Sequence, residues 1–189
     1  MNIREELLLL NEENVRSLLT PADAIAAAED TFLHIGTGDI TVGQMALMYA
    51  DDAQKNNFHS MPAILHHRHY AGVKWIDTYG APMPNYPFSH GNLVILSDTR
   101  TGSPVALVGA TAITTMRTAG GHGVVQAKYL ANPDPEVLTV IGCGAQAKAG
   151  IRGFLTQFPT LKQLRLFNRS RGPMEQVQKE LADRVEVTI

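Results

Sequence analysis

Cysteine is nearly absent from this chain: 189 residues contain one, Cys143. No disulfide can form within it, and a reducing, cytoplasmic setting is the simple expectation. Long apolar runs are missing too. The N-terminal MNIREELLLLNEENV carries only a short leucine run between acidic residues, so no secretory signal is expected there. No stretch approaches the ~20 apolar residues of a membrane span, and no membrane association is expected. An excess of one charge is also lacking. Sixteen Lys and Arg face 18 Asp and Glu, a net charge of −2, which leaves no footprint for nucleic acid or an acidic surface. There is no G-x-S-x-G, no P-loop lysine and no H-E-x-x-H. His66-His67-Arg68-His69 has no carboxylate or cysteine companion at ligand spacing. It reads as a solvated loop, and no metal site is expected.

What is present is the composition of a soluble globular protein, 44% hydrophobic and 18% charged. Thr20-Pro21-Ala22-Asp23 predicts a helix start: a capping threonine, proline at the first helical position and an acid in the first turn. Ile25, Ala28, Phe32 and Ile35 recur at helical spacing and predict one buried face. Gly36 and Gly38 end the helix. Residues 40–49, ITVGQMALMY, read as a strand, followed by FHSMPAIL and YAGVKWIDTY. GNLVILSD and SPVALVG form a further pair across the turn Asp98-Thr99-Arg100-Thr101-Gly102. Residues 1–110 are therefore expected to form one α/β unit with a mostly antiparallel sheet.

Residues 111–132 read as a connecting helix. Gly120, Gly121 and Gly123 interrupt it, each costing about 1 kcal/mol relative to alanine, which predicts close approach of another backbone. His122 among them reads as a packed or capping residue. Asn132-Pro133-Asp134-Pro135 marks a boundary. Residues 133–189 follow the order βαβαβ, the first half of a doubly wound sheet with strand order 3-2-1. Strand 137–141, VLTVI, is then left as an apolar edge, a template for partner pairing or aggregation.

The turn after that strand is Gly142-Cys143-Gly144-Ala145-Gln146-Ala147, which fits G-x-G-x-x-G/A. The first glycine permits the tight turn and the second lets a pyrophosphate approach the main chain. Ala147 keeps the helix close to the sheet, and the helix start supplies N–H donors. Strand before and helix after is the context that gives this motif weight. Cys143 reads as a small turn residue. At the end of the second strand stands Asn168-Arg169-Ser170, where an NAD-preferring site carries an acid for the ribose 2′-hydroxyl. Arg169 can pair with a 2′-phosphate, and Asn168 and Ser170 can hydrogen-bond it, so NADP(H) is favoured over NAD(H). A solvated loop charge is the alternative for Arg169.

These residues together resemble the ornithine cyclodeaminase / mu-crystallin family. The landmarks are Met61-Pro62, Gly72-Val73-Lys74, Asp98 to Gly102, Ile113-Thr114, Arg117-Thr118-Ala119 and the glycine turn. The resemblance implies an α/β substrate domain that also dimerises, followed by a Rossmann domain. It implies hydride exchange at the α-carbon of a small amino or imino acid. It makes Lys74 and Arg117 the cations that hold the substrate carboxylate, with Lys74 also assisting proton transfer. Thr118, Ala145, Gln146, Asn168, Arg169 and Ser170 become cofactor contacts, with Ser89 and His90 near the nicotinamide end. The residues alone leave Lys74 open between an anion-binding ammonium and a snorkelling lysine, and Arg117 between a carboxylate clamp and a structural ion pair.

Two departures accompany the resemblance. A further arginine usual in strand 40–49 is absent, with Gln44 the nearest polar candidate. The family's catalytic aspartate and remaining Rossmann strands fall beyond residue 189, so the Rossmann half is expected to be truncated. A non-catalytic, crystallin-like binding protein or an inactive fragment is the alternative reading.

Overall fold

Alternating apolar strands in the first half build one seven-stranded sheet. Its members are β1 (Leu8–Leu10), β2 (Ile40–Val42), β3 (Ala46–Tyr49), β4 (Asn57–Leu65), β5 (Tyr70–Thr78), β6 (Leu93–Asp98) and β7 (Pro104–Gly109). They run in the order β1-β7-β6-β5-β4-β2, with β3 also on β4. This computed structural model describes residues 7–51, 53, 56–78 and 91–189. Every pairing in this sheet is antiparallel except β1 on β7, which is parallel. The leucine run near the N-terminus thus becomes a strand through a partner distant in sequence.

The strand expected over 40–49 is broken. Val42 faces Ala63 and Ala46 faces Ser60, so four residue steps oppose three. That is a β-bulge, which bends a strand and re-aims side chains. Gly43 makes room for it, because a Cβ there would stand 2.7 Å from Cγ of Pro62.

The β6–β7 turn is held by Asp98, which is buried. Its carboxylate accepts from the Arg100 N–H at 2.8 Å, from Nε at 3.1 Å and from Nη2 at 2.8 Å, while its carbonyl accepts from the Gly102 N–H at 2.8 Å. The Asp-Thr-Arg-Thr-Gly landmark is therefore turn chemistry. Helix α1 (Glu12–Leu18) supplies Glu12, whose carboxylate accepts from the N–H groups of Thr111 and Ala112 at the start of α3 (Thr111–Thr115).

Helix α2 (Pro21–Thr37) starts on a reciprocal cap, with Asp23 N–H on Thr20 Oγ1 at 3.2 Å and Thr20 N–H on Asp23 Oδ2 at 3.0 Å. Ile25 and Ala28 are buried as the spacing predicts, whereas Phe32 and Ile35 are exposed. The chain divides into two units, residues 1–18 with 31–113 and residues 19–30 with 114–189.

The second unit contains a parallel three-stranded sheet in the order β10-β9-β8, the expected 3-2-1 arrangement. Its strands are β8 (Val137–Ile141), β9 (Gln163–Phe167) and β10 (Glu186–Thr188), with α5 (Ala145–Gln157) and α6 (Arg171–Leu181) between them. Ile151, Leu164, Leu166, Val177, Leu181 and Val185 form one core cluster. Ile25, Val124, Val125, Phe158 and Leu161 belong to another.

The connecting helix is not α-helical throughout. After α3 the chain winds as a π-helix over Met116–Gly123 and returns to α in α4 (Val124–Leu130). A Cβ on Gly120 would lie 3.1 Å from the Ala149 carbonyl oxygen, and one on Gly121 would lie 2.8 Å from that of Ala24. The expected backbone approach is present at these two glycines. No helix among the described residues is long and apolar enough to cross a membrane.

Candidate functional site

Strand β8 ends in a turn whose first glycine, Gly142, has φ of +92°, a conformation that favours glycine. Its N–H donates to the Phe167 carbonyl at 2.8 Å, and the Cys143 N–H donates to Asn168 Oδ1 at 3.2 Å. The Asn168 amide then donates to the Ser170 carbonyl at 2.9 Å and to Ser170 Oγ at 3.2 Å. Asn168 thus ties the glycine turn to the end of β9, a framework role that the sequence did not reveal.

Gly144 caps α5 with φ of −83° and ψ of −169°. These angles are open to any residue, and a Cβ built there meets nothing within 4 Å. No atom of the described residues accounts for glycine at this position. The space above it lies at a helix start, where Ala145 and Gln146 are exposed and free N–H groups attract anions. Ala147 is half-buried in the first turn. Arg169 is exposed and has no ion-pair partner among the described residues. Burial pushes the Cys143 thiol up, away from the thiolate form.

The π-helical stretch packs directly on α5. A Cβ on Gly150 would stand 3.1 Å from Cβ of Ala119, and one on Gly153 would stand 2.5 Å from the Gly120 carbonyl oxygen. Arg117 and Thr118 are therefore held beside the first turns of α5. The Nε of Arg117 is buried and has no hydrogen-bond partner among the described residues. A buried unmatched donor on a cation is costly and is satisfied when an anion arrives. Thr118 is exposed, and its hydroxyl donates to the Thr114 carbonyl at 2.8 Å. π-helical turns are frequent at functional sites. His122, in the same stretch, has its pKa lowered by burial and by the nearby Arg117 charge.

Lys74 lies in the first unit on β5. It stands opposite Met61 on one side and Val94 on the other, and Val94 stands opposite Val108. Lys74 is half-buried as a residue, in a cross-strand row whose other members are apolar. Gln44 falls in the bulge across from Met61 and Pro62, two strand spacings or about 10 Å from Lys74. Ser89 and His90 lie outside the described residues. The sequence missed the π-helical winding, although its cluster of glycines was a signal, and the framework role of Asn168, for which there was none.

The sequence profile of the ornithine cyclodeaminase/mu-crystallin family matches residues 5–189. The chain belongs to this family. Alanine dehydrogenase of Archaeoglobus fulgidus is 37% identical over 143 residues, covering 75% of this chain and 42% of that protein. The ketimine reductase mu-crystallin of Rattus norvegicus is 31% identical over 115 residues, covering 61% of this chain and 36% of that protein. A solved archaeal alanine dehydrogenase dimer with bound NAD superposes with a TM-score of 0.87 at 28% identity, over 96% of this chain and 55% of that one. A Thermococcus litoralis Δ1-pyrroline-2-carboxylate reductase, solved with NADH and L-proline, gives 0.80 at 25% identity, over 96% and 56%. The chain spans about half the length of these family members, between 36% and 56%.

Proposed function

We propose that this chain carries the substrate-binding part and the dinucleotide cradle of an NADP(H)-using oxidoreductase acting on a small amino or imino acid. Residues 1–110 form the substrate and dimerisation domain, 111–132 the connecting helix, and 133–189 the first half of the Rossmann domain. The observation that carries the reading is the unfilled space at Gly144, on a helix start that the fold itself does not need to keep clear. Gly142, Gly144, Ala145, Gln146 and Ala147 would hold the pyrophosphate, with Thr118 on the adjoining π-helical stretch. Asn168 holds the β9 end in place, leaving Arg169 and Ser170 to meet a 2′-phosphate. A nicotinamide held there would supply hydride chemistry at the substrate α-carbon. By resemblance, Lys74 and Arg117 are the cations that hold the substrate carboxylate; for Arg117 a buried, unmatched Nε supports the role. By the same resemblance, Gln44 is the nearest polar candidate for a further contact, and Lys74 assists proton transfer. Ser89 and His90 complete the set by resemblance alone.

Calorimetric titration of the purified chain with NADPH and NADH tests the cradle. NADPH is expected to bind more tightly. Arg169→Ala should narrow that preference about tenfold or more, since a hydrogen bond to a charged group contributes about 1.5–3 kcal/mol. Equal binding of both cofactors by the unaltered chain would remove the case for NADP(H). Binding of neither would remove the cradle.

The homodimer of this reading uses one face of the seven-stranded sheet. Trp75 stands opposite Leu93, and Val73 opposite Ile95, Leu107 and Leu9 in successive strands. Leu9, Ile95, Leu93 and Trp75 on that face are 64%, 43%, 39% and 37% exposed. A contiguous apolar face of this kind marks an interaction surface. Light scattering should give a dimer mass for the chain and a monomer mass for Ile95→Asp. A dimer indifferent to that substitution would place the interface elsewhere.

A further inference from the structure

Resting on the carboxylate role given above to Lys74, we propose that His59 is a second carboxylate-binding residue on the same sheet face, and that it binds only as an imidazolium, so that substrate capture takes up a proton. In the β4–β5 register Met61 stands opposite Lys74, and His59 stands opposite Ile76. Opposed residues share a face of a sheet, and so do residues two apart on one strand. His59 and Lys74 are therefore diagonal neighbours. The Cβ atoms of such a pair lie about 7–8 Å apart, within reach of long and aromatic side chains. A carboxylate has two oxygens and can accept one hydrogen bond from each side chain. Gln44 stands farther off, about 10 Å from Lys74 in the bulge.

Asn57 decides which ring nitrogen is available. Nε2 of His59 lies 2.6 Å from Oδ1 of Asn57, two residues earlier on the same face. An amide oxygen only accepts, so Nε2 carries its proton into that bond. Nδ1 is the nitrogen left to meet a ligand. In the neutral ring it holds a lone pair, which repels a carboxylate; in the imidazolium it is an N–H donor. Asn57 thus removes the tautomer through which a neutral ring could donate from Nδ1. Charge acts in the same direction. Among the described residues, the titratable side chains of this face on the strands beside β4 are Lys74 on β5 and Tyr49 on β3, opposite Asn57. Ile40–Val42 of β2 brings none. The Lys74 ammonium disfavours a second positive charge nearby, and an anion held between the two favours it. His59 is half-buried, where charges are screened less than at an open surface.

Titration of the full chain with pyruvate between about pH 5.5 and 8.5, where an imidazole changes charge, tests the role of His59. Pyruvate carries a carboxylate and no amine, so its own charge is constant over that range. Binding should be tightest while the ring is already protonated and should be lost as pH rises through the midpoint of the bound ring, a fall of about tenfold or more. Calorimetry in two buffers of different ionisation enthalpy should show proton uptake at the alkaline end. His59→Gln should bind equally weakly at both ends, and His59→Arg equally tightly. His122 remains in both variants, so a lost pH dependence belongs to His59. Asn57→Ala should regain binding at the alkaline end, because the neutral ring can then donate from Nδ1. If a variant does not fold, ring 15N resonances of the unaltered chain decide: pyruvate must raise the titration midpoint of His59. A pH dependence that survives His59→Gln, an affinity that rises with pH, or a His59 midpoint indifferent to pyruvate would overturn the role of His59. Lys74→Ala separates that failure from the reading beneath it, since binding lost in this variant keeps Lys74 as a carboxylate ligand. No pyruvate binding at either end would overturn both.

Discussion

Gly153→Ala should lower the melting temperature by about 4–8 °C. A Cβ at this position would stand 2.5 Å from the Gly120 carbonyl oxygen, 3.0 Å from its Cα and 2.9 Å from Cγ2 of Val124. Two of these atoms are backbone and cannot rotate aside. Overpacking of this kind costs about 1–3 kcal/mol and occasionally more. Better helix propensity returns at most about 1 kcal/mol. A net loss near 2 kcal/mol corresponds to that drop for a chain of this length, at roughly 2–4 °C per kcal/mol. Gly172→Ala is the matched comparison. It lies in α6 with nothing within 4 Å of its added Cβ, so propensity acts alone and the chain should melt slightly higher. Scanning calorimetry on both variants separates the two effects. A Gly153→Ala chain as stable as the parent would mean that α5 and the π-helical stretch do not cross this closely.

Gly144→Val should have the opposite profile, with stability largely kept and dinucleotide binding weakened by at least tenfold. The backbone there is extended and the added side chain meets open space. Valine is a poorer N-cap than glycine, so a loss of up to about 1 kcal/mol is expected from the cap alone. The same side chain would occupy the volume through which a pyrophosphate approaches the helix start. Titration and thermal melting on one sample read both quantities. Unchanged NADPH affinity would move the pyrophosphate away from this turn. A melting temperature lower by more than about 4 °C, beyond what the cap accounts for, would make Gly144 a structural glycine.

The second unit was legible because its signals are local. A five-residue apolar strand, a glycine turn and a helix follow one another, and the 3-2-1 sheet results from repeating that unit. Elements defined by distant partners were harder. The leucines of β1 look like part of a helix or a tail until β7 is placed beside them. Strand 40–49 alternates well enough to read as continuous, and only pairing with the proline-containing β4 shows the bulge. Phe32 and Ile35 fit a helical stripe that the structure leaves exposed. For the candidate site, the sequence named the residues of the turn and the structure added their linkage through Asn168. Arg117 could be named from resemblance, but its buried, unmatched Nε is visible only in three dimensions.

The π-helical winding over Met116–Gly123 makes the length of that stretch matter as much as its composition. Each residue of an ordinary helix turns the chain by about 100°. Shortening the stretch by one residue to restore an α-helix would change the angle between Arg117 and Gly120 at the crossing with α5, because i→i+5 winding advances less per residue than i→i+4 winding. A guanidinium so displaced would face a different neighbour even with every flanking residue intact. Among family members, an insertion or deletion here would therefore re-aim a cation, whereas the same change in a surface loop would pass unnoticed.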